Sequence, residues 1–350
     1  MDDLAAYKQP IQHELDQVFE AFRAELPDDI SYINQTVFRI LQEYCTRPGS
    51  RVRGSLAAYV GAQLGSPIQV ATQLGAIMEL LHCYLLLIDD VMDQSHLRRG
   101  RPTVQTILHD DHAMTSFNAD MVAINGGLIV QHMTSWAVSQ LDISANNIRL
   151  IMTRLHRNLA ITGMGQIDDM SHPDVVSTEA IKRRYYHKSA YYTFINPLEC
   201  AFSLSGMYNE EAGEAVMSYG LPAGLAYQLR DDYLGIFGDE AKTGKANYDD
   251  IREGKYTLLV HDAFETATPD DIAQLTAIIG SEDADSADVA TVRGIFCRSG
   301  AERRSREAIR ASVQDALDAA ARYEKIWNQD VRRVLEELIG TLRIETDTYE

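Results

Sequence analysis

Long, largely apolar segments follow one another along this chain, and no pair of alternating apolar and polar runs is joined by a tight turn. That pattern predicts helices and leaves little room for a sheet. Ser66-Pro67 has the form of an N-cap followed by proline at the first helical position, opening a helix to about Met92. Comparable segments lie near 10–25, 29–46, 50–64, 115–141, 146–169, 177–205 and 209–237. The stretch from Ala301 to about Thr346 is rich in Ala, Arg and Glu, which are good helix formers. Pro269 and the acidic segment from Ser281 to Asp288 mark loops, and no internal repeat interrupts the series. The expectation is one all-α domain spanning residues 1–350.

Charge narrows the function. The chain carries 32 Lys and Arg against 51 Asp and Glu, a formal net charge of −19. A nucleic-acid binder needs cations to displace counterions from phosphates, so that class is set aside. Cys45, Cys83, Cys200 and Cys297 are far apart and form no CxxC pair, which predicts neither a disulfide framework nor a zinc site. No apolar run reaches the roughly 18 residues of a membrane span, and the first residues lack a signal-peptide core. The expectation is a cytoplasmic protein without stable membrane insertion.

The chemistry is concentrated in two aspartate clusters. Asp89-Asp90-Val91-Met92-Asp93 closes one apolar run, and Gln228-Leu229-Arg230-Asp231-Asp232 closes another. Asp89 and Asp93 are four residues apart, so on a helix their carboxylates share a face. One such pair would read as a solvated helix end; two pairs suggest carboxylates converging on one cavity. Unit charges at about 4 Å repel by about 4 kcal/mol at an effective dielectric of about 20, so a cation is needed. Mg²⁺ suits hard oxygen ligands and shared phosphate oxygens. Arg98-Arg99-Gly100-Arg101 follows at once, and arginine forks suit phosphate. A diphosphate bridged to Mg²⁺ would meet both needs.

At these residues the chain resembles the trans-isoprenyl diphosphate synthase (polyprenyl synthetase) family, most closely its short-chain geranylgeranyl members. Asp89 to Asp93 followed by Arg98-Arg99-Gly100 resembles the first aspartate-rich motif, and Gly224 to Gly235 resembles the second. Further matches are Gly49 to Arg53, Glu79 to His82, Gly165-Gln166 with Asp169, and Lys188-Ser189-Ala190. Gly238-Asp239, Thr243-Gly244-Lys245, Asp250-Ile251 and Gly254-Lys255-Tyr256-Thr257 complete the series.

The resemblance implies a bundle of about a dozen or more helices around a central cavity, usually as a homodimer. It implies head-to-tail condensation of isopentenyl diphosphate with an allylic diphosphate (dimethylallyl, geranyl or farnesyl). Asp89, Asp93 and Asp231 would ligate three Mg²⁺ on the allylic diphosphate. Asp90 and Asp232 would support the metal site or touch metal-bound water, with Asp250 in a similar place. Arg98, Lys188, Gln228 and Lys245 would hold the allylic diphosphate, with Ser189 and Lys255 close by. Arg53, His82 and Arg99 would hold isopentenyl diphosphate, with Arg51 beside them. No side-chain general base is required.

Three positions depart from the family pattern: Ser50 stands where lysine is expected, Gly235 where aspartate ends the second motif, and Ile88 where histidine is common. Tyr84, one helical turn or so before Asp89, with Leu85 beside it, is the candidate cavity floor. One aromatic there implies a C20 product, geranylgeranyl diphosphate; a C15 farnesyl product is the alternative. A class I terpene cyclase is disfavoured because the Asp231 region lacks its second motif. A non-catalytic modulating subunit remains the reading from a different class, motivated by Ser50 and Gly235. Lys182-Arg183-Arg184 reads as a solvated face, and Tyr185, Tyr186, Tyr191 and Tyr192 as packing with a possible cation–π role.

Overall fold

A computed structural model describes residues 1–171, 177–239 and 247–344. In chain order the helices begin with α1 (Asp2–Ala5), α2 (Lys8–Glu25), α3 (Tyr32–Thr46), α4 (Val52–Gln63) and α5 (Ile68–Met92). After two short strands, β1 (Leu97–Arg98) and β2 (Arg101–Pro102), come α6 (Val104–Asp110), α7 (Ser116–Ser139), α8 (Ala145–Met170) and α9 (Thr178–Tyr185). A π-helix (Tyr186–Ile195) leads into α10 (Asn196–Leu204) and α11 (Glu210–Phe237). The last are α12 (Asp249–Arg252), α13 (Leu258–Thr266), α14 (Pro269–Ile278), α15 (Ser286–Arg298), α16 (Ala301–Arg322) and α17 (Gln329–Gly340). The fold is all-α. The chain divides into two compact units, Met1–His156 with Asn196–Gly213 and Arg157–Ile195 with Glu214–Glu350.

The first unit is built on α5. Apolar residues cover most of its circumference, so it must be enclosed. Leu74, Ile77, Leu80 and Leu87 are buried against a core that includes Ile11, Leu41, Leu56 and Val130. By length and composition α5 could cross a membrane, contrary to the sequence reading, but most of that stretch is buried inside the protein. The helix also starts later than expected. Ser66 spends its amide on Gly61 O (3.1 Å), closing α4 behind Gly65 at φ +93°. Pro67 is therefore the cap residue of α5, not its first turn.

The β1–β2 hairpin was not foreseen, because two residues per strand carry no alternating pattern. Its register pairs Leu97 with Pro102 and Arg98 with Arg101. The two loop residues, Arg99 (φ 55°) and Gly100 (φ 72°), both have positive φ, as a type I′ turn requires.

In the second unit, the expected helix over 177–205 winds as a π-helix at its centre. Gly224 of α11 and Gly165 of α8 make this possible. A Cβ on either would overlap the π-helix backbone, at Ala190 and Lys188 respectively. The π-helix is thus gripped on two sides, and it carries Lys188 and Ser189. The segment after Ala301 is broken rather than continuous: Asn328 caps α17 by accepting from Val331 N at 2.8 Å. Pro269 does not mark a loop; it opens α14 behind Thr268, which accepts from Asp271 N.

Candidate active site

The first aspartate cluster lies at the C-terminal end of α5, where the helix dipole disfavours negative charge and the last turn has no basic residue. The hairpin brings the missing cation back. Arg98 Nε donates to Asp90 Oδ1 at 2.7 Å, and its Nη2 lies 3.5 Å from Asp89 Oδ2. Asp90 is 1% exposed, and its other oxygen accepts from Tyr44 Oη at 2.5 Å. Burial raises the Asp90 carboxyl above its usual range even against the pull of Arg98. Asp89 and Asp93 are only partly covered. One aspartate of the pair is therefore spent on structure, while Asp89 faces outward with Asp93.

The hairpin is secured to its surroundings. Gln105 Nε2 donates to Asp90 O at 2.8 Å, and Thr103 Oγ1 to Ser95 O at 2.8 Å. Arg99 Nη1 donates to Arg47 O at 2.8 Å, and its guanidinium lies against Gly49. Arg53 and His82 approach each other at 3.5 Å between Nη1 and Nε2. Burial first, and then the charges of Arg53, Arg99, Arg98 and Arg51, hold the His82 imidazole well below its ordinary pKa. His82 is thus neutral among arginines, a cationic patch suited to a diphosphate.

Arg51 differs from its neighbours. It is 3% exposed, and its guanidinium is committed to Glu79 (3.1 Å), Gln12 (2.8 Å) and the carbonyls of Cys45 and Arg47. This network holds its backbone at φ 53° ahead of α4. Ser50 beside it is exposed. Tyr84 is half-buried and packs against the core of the first unit, while Leu85 next to it is also half-covered. Gly127 leaves room for Ile88, whose Cδ1 would lie 2.8 Å from a Cβ there.

The second cluster has a parallel construction. Asp231 is exposed. Asp232 accepts from Tyr185 Oη and, at 2.8 Å, from Gln228 Nε2. Ser189 Oγ donates to Gln228 Oε1 at 2.5 Å, which fixes the amide's orientation. Burial, with the charges of Asp231 and Asp250 adding to it, pushes the Asp232 carboxyl up to about 7. Lys188 Nζ is 2.5 Å from Asp169 Oδ2, and Arg184 Nε is 3.2 Å from Asp169 Oδ1. Arg184 is 6% exposed and also donates to Tyr256 O at 2.5 Å, so it is not part of a solvated face. Lys255 Nζ lies 3.8 Å from Asp250 and closer to Glu253. A small pocket beside them is lined by Asp232, Ile236, Asp250, Lys255, Thr257 and Val260. Lys245, with Thr243 and Gly244, lies outside the described residues.

Sequence reasoning missed Tyr44 and read Tyr185 as packing. Each reaches its aspartate across more than forty residues of chain, and no local pattern signals such a bond. Among the described residues, no three His, Cys, Asp or Glu side chains converge into a metal cage. Mg²⁺ keeps several waters and is bound through one or two carboxylates together with substrate phosphates. The partly covered carboxylates of Asp89 and Asp93, and the exposed one of Asp231, offer the hard oxygens it needs.

The chain is similar to known proteins over most of its length. The polyprenyl synthetase family model matches residues 34–295. The geranylgeranyl diphosphate synthase of Saccharolobus solfataricus is 28% identical over 306 residues, covering 83% of this chain and 81% of that protein. The farnesyl pyrophosphate synthase of Nezara viridula is 30% identical over 302 residues, covering 80% of this chain and 71% of its own. The crystal structure of a Corynebacterium glutamicum geranylgeranyl pyrophosphate synthase, complexed with isoprenyl diphosphate and magnesium, superposes with a TM-score of 0.88 at 25% identity. It covers 97% of this chain and 99% of that one. The chain belongs to the polyprenyl synthetase family.

Proposed function

We propose that this protein is a Mg²⁺-dependent prenyltransferase that condenses isopentenyl diphosphate head-to-tail with allylic diphosphates, ending at the C20 product geranylgeranyl diphosphate. The observation that carries the reading is the shared design of the two clusters, in which one aspartate of each pair accepts a hydrogen bond from a tyrosine and its neighbour, Asp89 or Asp231, offers a carboxylate to ligand. The family match and the names of its relatives support the same reaction.

In this reading Asp89, Asp93 and Asp231 would hold three Mg²⁺ with the allylic diphosphate. When bound, the metal neutralises negative charge developing on the departing pyrophosphate. Asp90 orients Arg98 toward that diphosphate, and Asp232 orients Gln228. Lys188, steadied by Asp169, adds a further cation, with Ser189, Lys245 and Lys255 beside it. Arg53 and Arg99 as cations, with neutral His82 as a hydrogen-bonding partner, bind isopentenyl diphosphate without metal, which leaves its double bond intact as nucleophile. The reaction requires that water, which would capture the allylic cation, be kept out. Pyrophosphate itself is the proton acceptor, so no side-chain base is needed.

Two further assignments belong to this reading. The protein is a homodimer: α7 exposes Phe117, Met121 and Leu128 along one stripe with Ile129 to its side, an apolar face that a second copy would cover. Light scattering should give twice the chain mass, and Leu128→Glu should shift it toward the monomer. The protein acts in the cytoplasm, where its four cysteines, all free, stay reduced. The activity is tested by pyrophosphate release from isopentenyl and geranyl diphosphates. Release should stop with a chelator and return with Mg²⁺, and Asp93→Asn should lower it at least a hundredfold. Release indifferent to both would contradict the reading.

A further inference from the structure

Gly235 stands one helical turn beyond Asp231 on α11, the same spacing that joins Asp93 to Asp89 in the first cluster. Position 235 supplies no side chain, yet its space is filled. A Cβ placed on Gly235 would overlap Oδ2 of Asp250, with Asp250 Cγ at 2.9 Å and Cβ at 3.7 Å as the next atoms. All three nearest atoms belong to one side chain. The carboxylate delivered by α12 therefore occupies the place where a side chain at 235 would begin. All these residues lie within the second unit.

The neighbouring bonds show that this placement is held. Asn247 Nδ2 donates to Gly238 O at 3.1 Å, fastening the start of α12 to the end of α11. Gly280 N donates to Ile251 O at 2.8 Å on the other side. The ammonium of Lys255 lies 3.8 Å from Asp250 Oδ1 and is in closer contact with Glu253. Oδ2, the oxygen against Gly235, is the one turned onto the Asp231 stripe.

The geometry points to Asp250 as the carboxylate partner of Asp231, supplied from a separate segment, with Gly235 kept as glycine to admit it. This goes beyond a supporting place for Asp250: the carboxylate absent from the second motif is restored in space. The inference rests on the reading of Asp231 as a carboxylate for Mg²⁺–diphosphate. It has a consequence that a plain ion pair with Lys255 lacks. A single methyl at 235 must displace the Asp250 carboxylate, although it removes no charge and alanine is favoured over glycine inside a helix.

The test is Mn²⁺ titration of the full-length protein with inorganic pyrophosphate, with unbound Mn²⁺ read by electron paramagnetic resonance. Thermal melting and condensation are followed in parallel. Asp250→Asn and Gly235→Ala should each weaken Mn²⁺ binding about tenfold or more, with the melting temperature of Gly235→Ala not lowered. Gly235→Asp alone should also weaken it, and Gly235→Asp combined with Asp250→Gly should recover most of the loss. Should Asp250→Asn misfold, the two Gly235 variants and the combined variant decide the matter. Unchanged Mn²⁺ binding in Gly235→Ala and Asp250→Asn, in a protein that condenses substrates, overturns this inference and leaves the function standing. A wild-type protein that neither binds Mn²⁺–pyrophosphate nor condenses overturns both.

Discussion

The phenol of Tyr44 on α3 donates to the carboxylate of Asp90 on α5 at 2.5 Å, while Arg98 donates to that carboxylate's other oxygen. The bond links three pieces of chain: a helix that carries no other part of the cluster, the aspartate run, and the hairpin arginine. Tyr185 and Asp232 repeat the arrangement in the second unit, where Leu258 N donates back to the phenol oxygen at 2.9 Å.

Tyr44→Phe should leave a buried carboxylate with one partner fewer. Hydrogen bonds to charged groups contribute about 1.5–3 kcal/mol, so the loss of stability should lie in that range. Arg98 should also lose its fixed direction. The KM for the allylic diphosphate should rise severalfold, while the KM for isopentenyl diphosphate stays near the wild-type value. Thermal melting and steady-state kinetics with each substrate varied in turn check this; equal rises in both KM values would place Tyr44 in general packing.

Asp169 gives an acid-dependent term. Burial would raise its carboxyl, but Lys188 and Arg184 outweigh burial and hold it below the ordinary 3.8. A depressed carboxyl contributes stability above the unfolded value and loses it as pH falls through the folded one. The contribution should therefore be complete at neutral pH and disappear below about pH 4. Asp169→Asn should cost about 3 kcal/mol at pH 7, because it strands two cations, and the deficit should shrink under acid. Urea unfolding at pH 7 and pH 3.5 measures both.

His82 acts at a different pH. Its folded value lies well below 6.5, so between the two values the unfolded chain binds the extra proton. Stability should thus fall as pH drops below about 6.5, at a rate up to about 1.4 kcal/mol per pH unit. His82→Gln should flatten that limb and leave the melting temperature at pH 8 nearly unchanged. Melts from pH 5 to pH 8 on both proteins decide it; parallel curves would count against a neutral His82.

Tyr84→Ala should lengthen the product past C20 if the ring is the cavity floor, as its place on α5 before Asp89 suggests. Chromatography of the dephosphorylated products shows the outcome. An unchanged distribution would put the floor elsewhere.

What could be read in advance was local. The long helices and the i, i+4 carboxylates of Asp89 and Asp93 follow from periodicity within one segment, and α5 and α11 lie where it placed them. What could not be read depends on distant contacts. Arg184 looked solvated from its basic neighbours, yet Asp169 and the Tyr256 carbonyl enclose it. The hairpin at Arg99-Gly100 is too short for a strand pattern. Gly235 looked like a lost carboxylate until the fold put Asp250 against it. Ser66 read as a cap because its second duty, closing α4, is visible only once both helices exist.

The most direct measurement is product analysis with purified protein, Mg²⁺ and labelled isopentenyl diphosphate, primed in turn with dimethylallyl, geranyl and farnesyl diphosphates. The account predicts condensation with allylic primers and chains that stop at C20. Folded protein with metal that extends none of the three would contradict it, and would make a modulating subunit, with Ser50 the first residue to change to lysine, the reading to pursue.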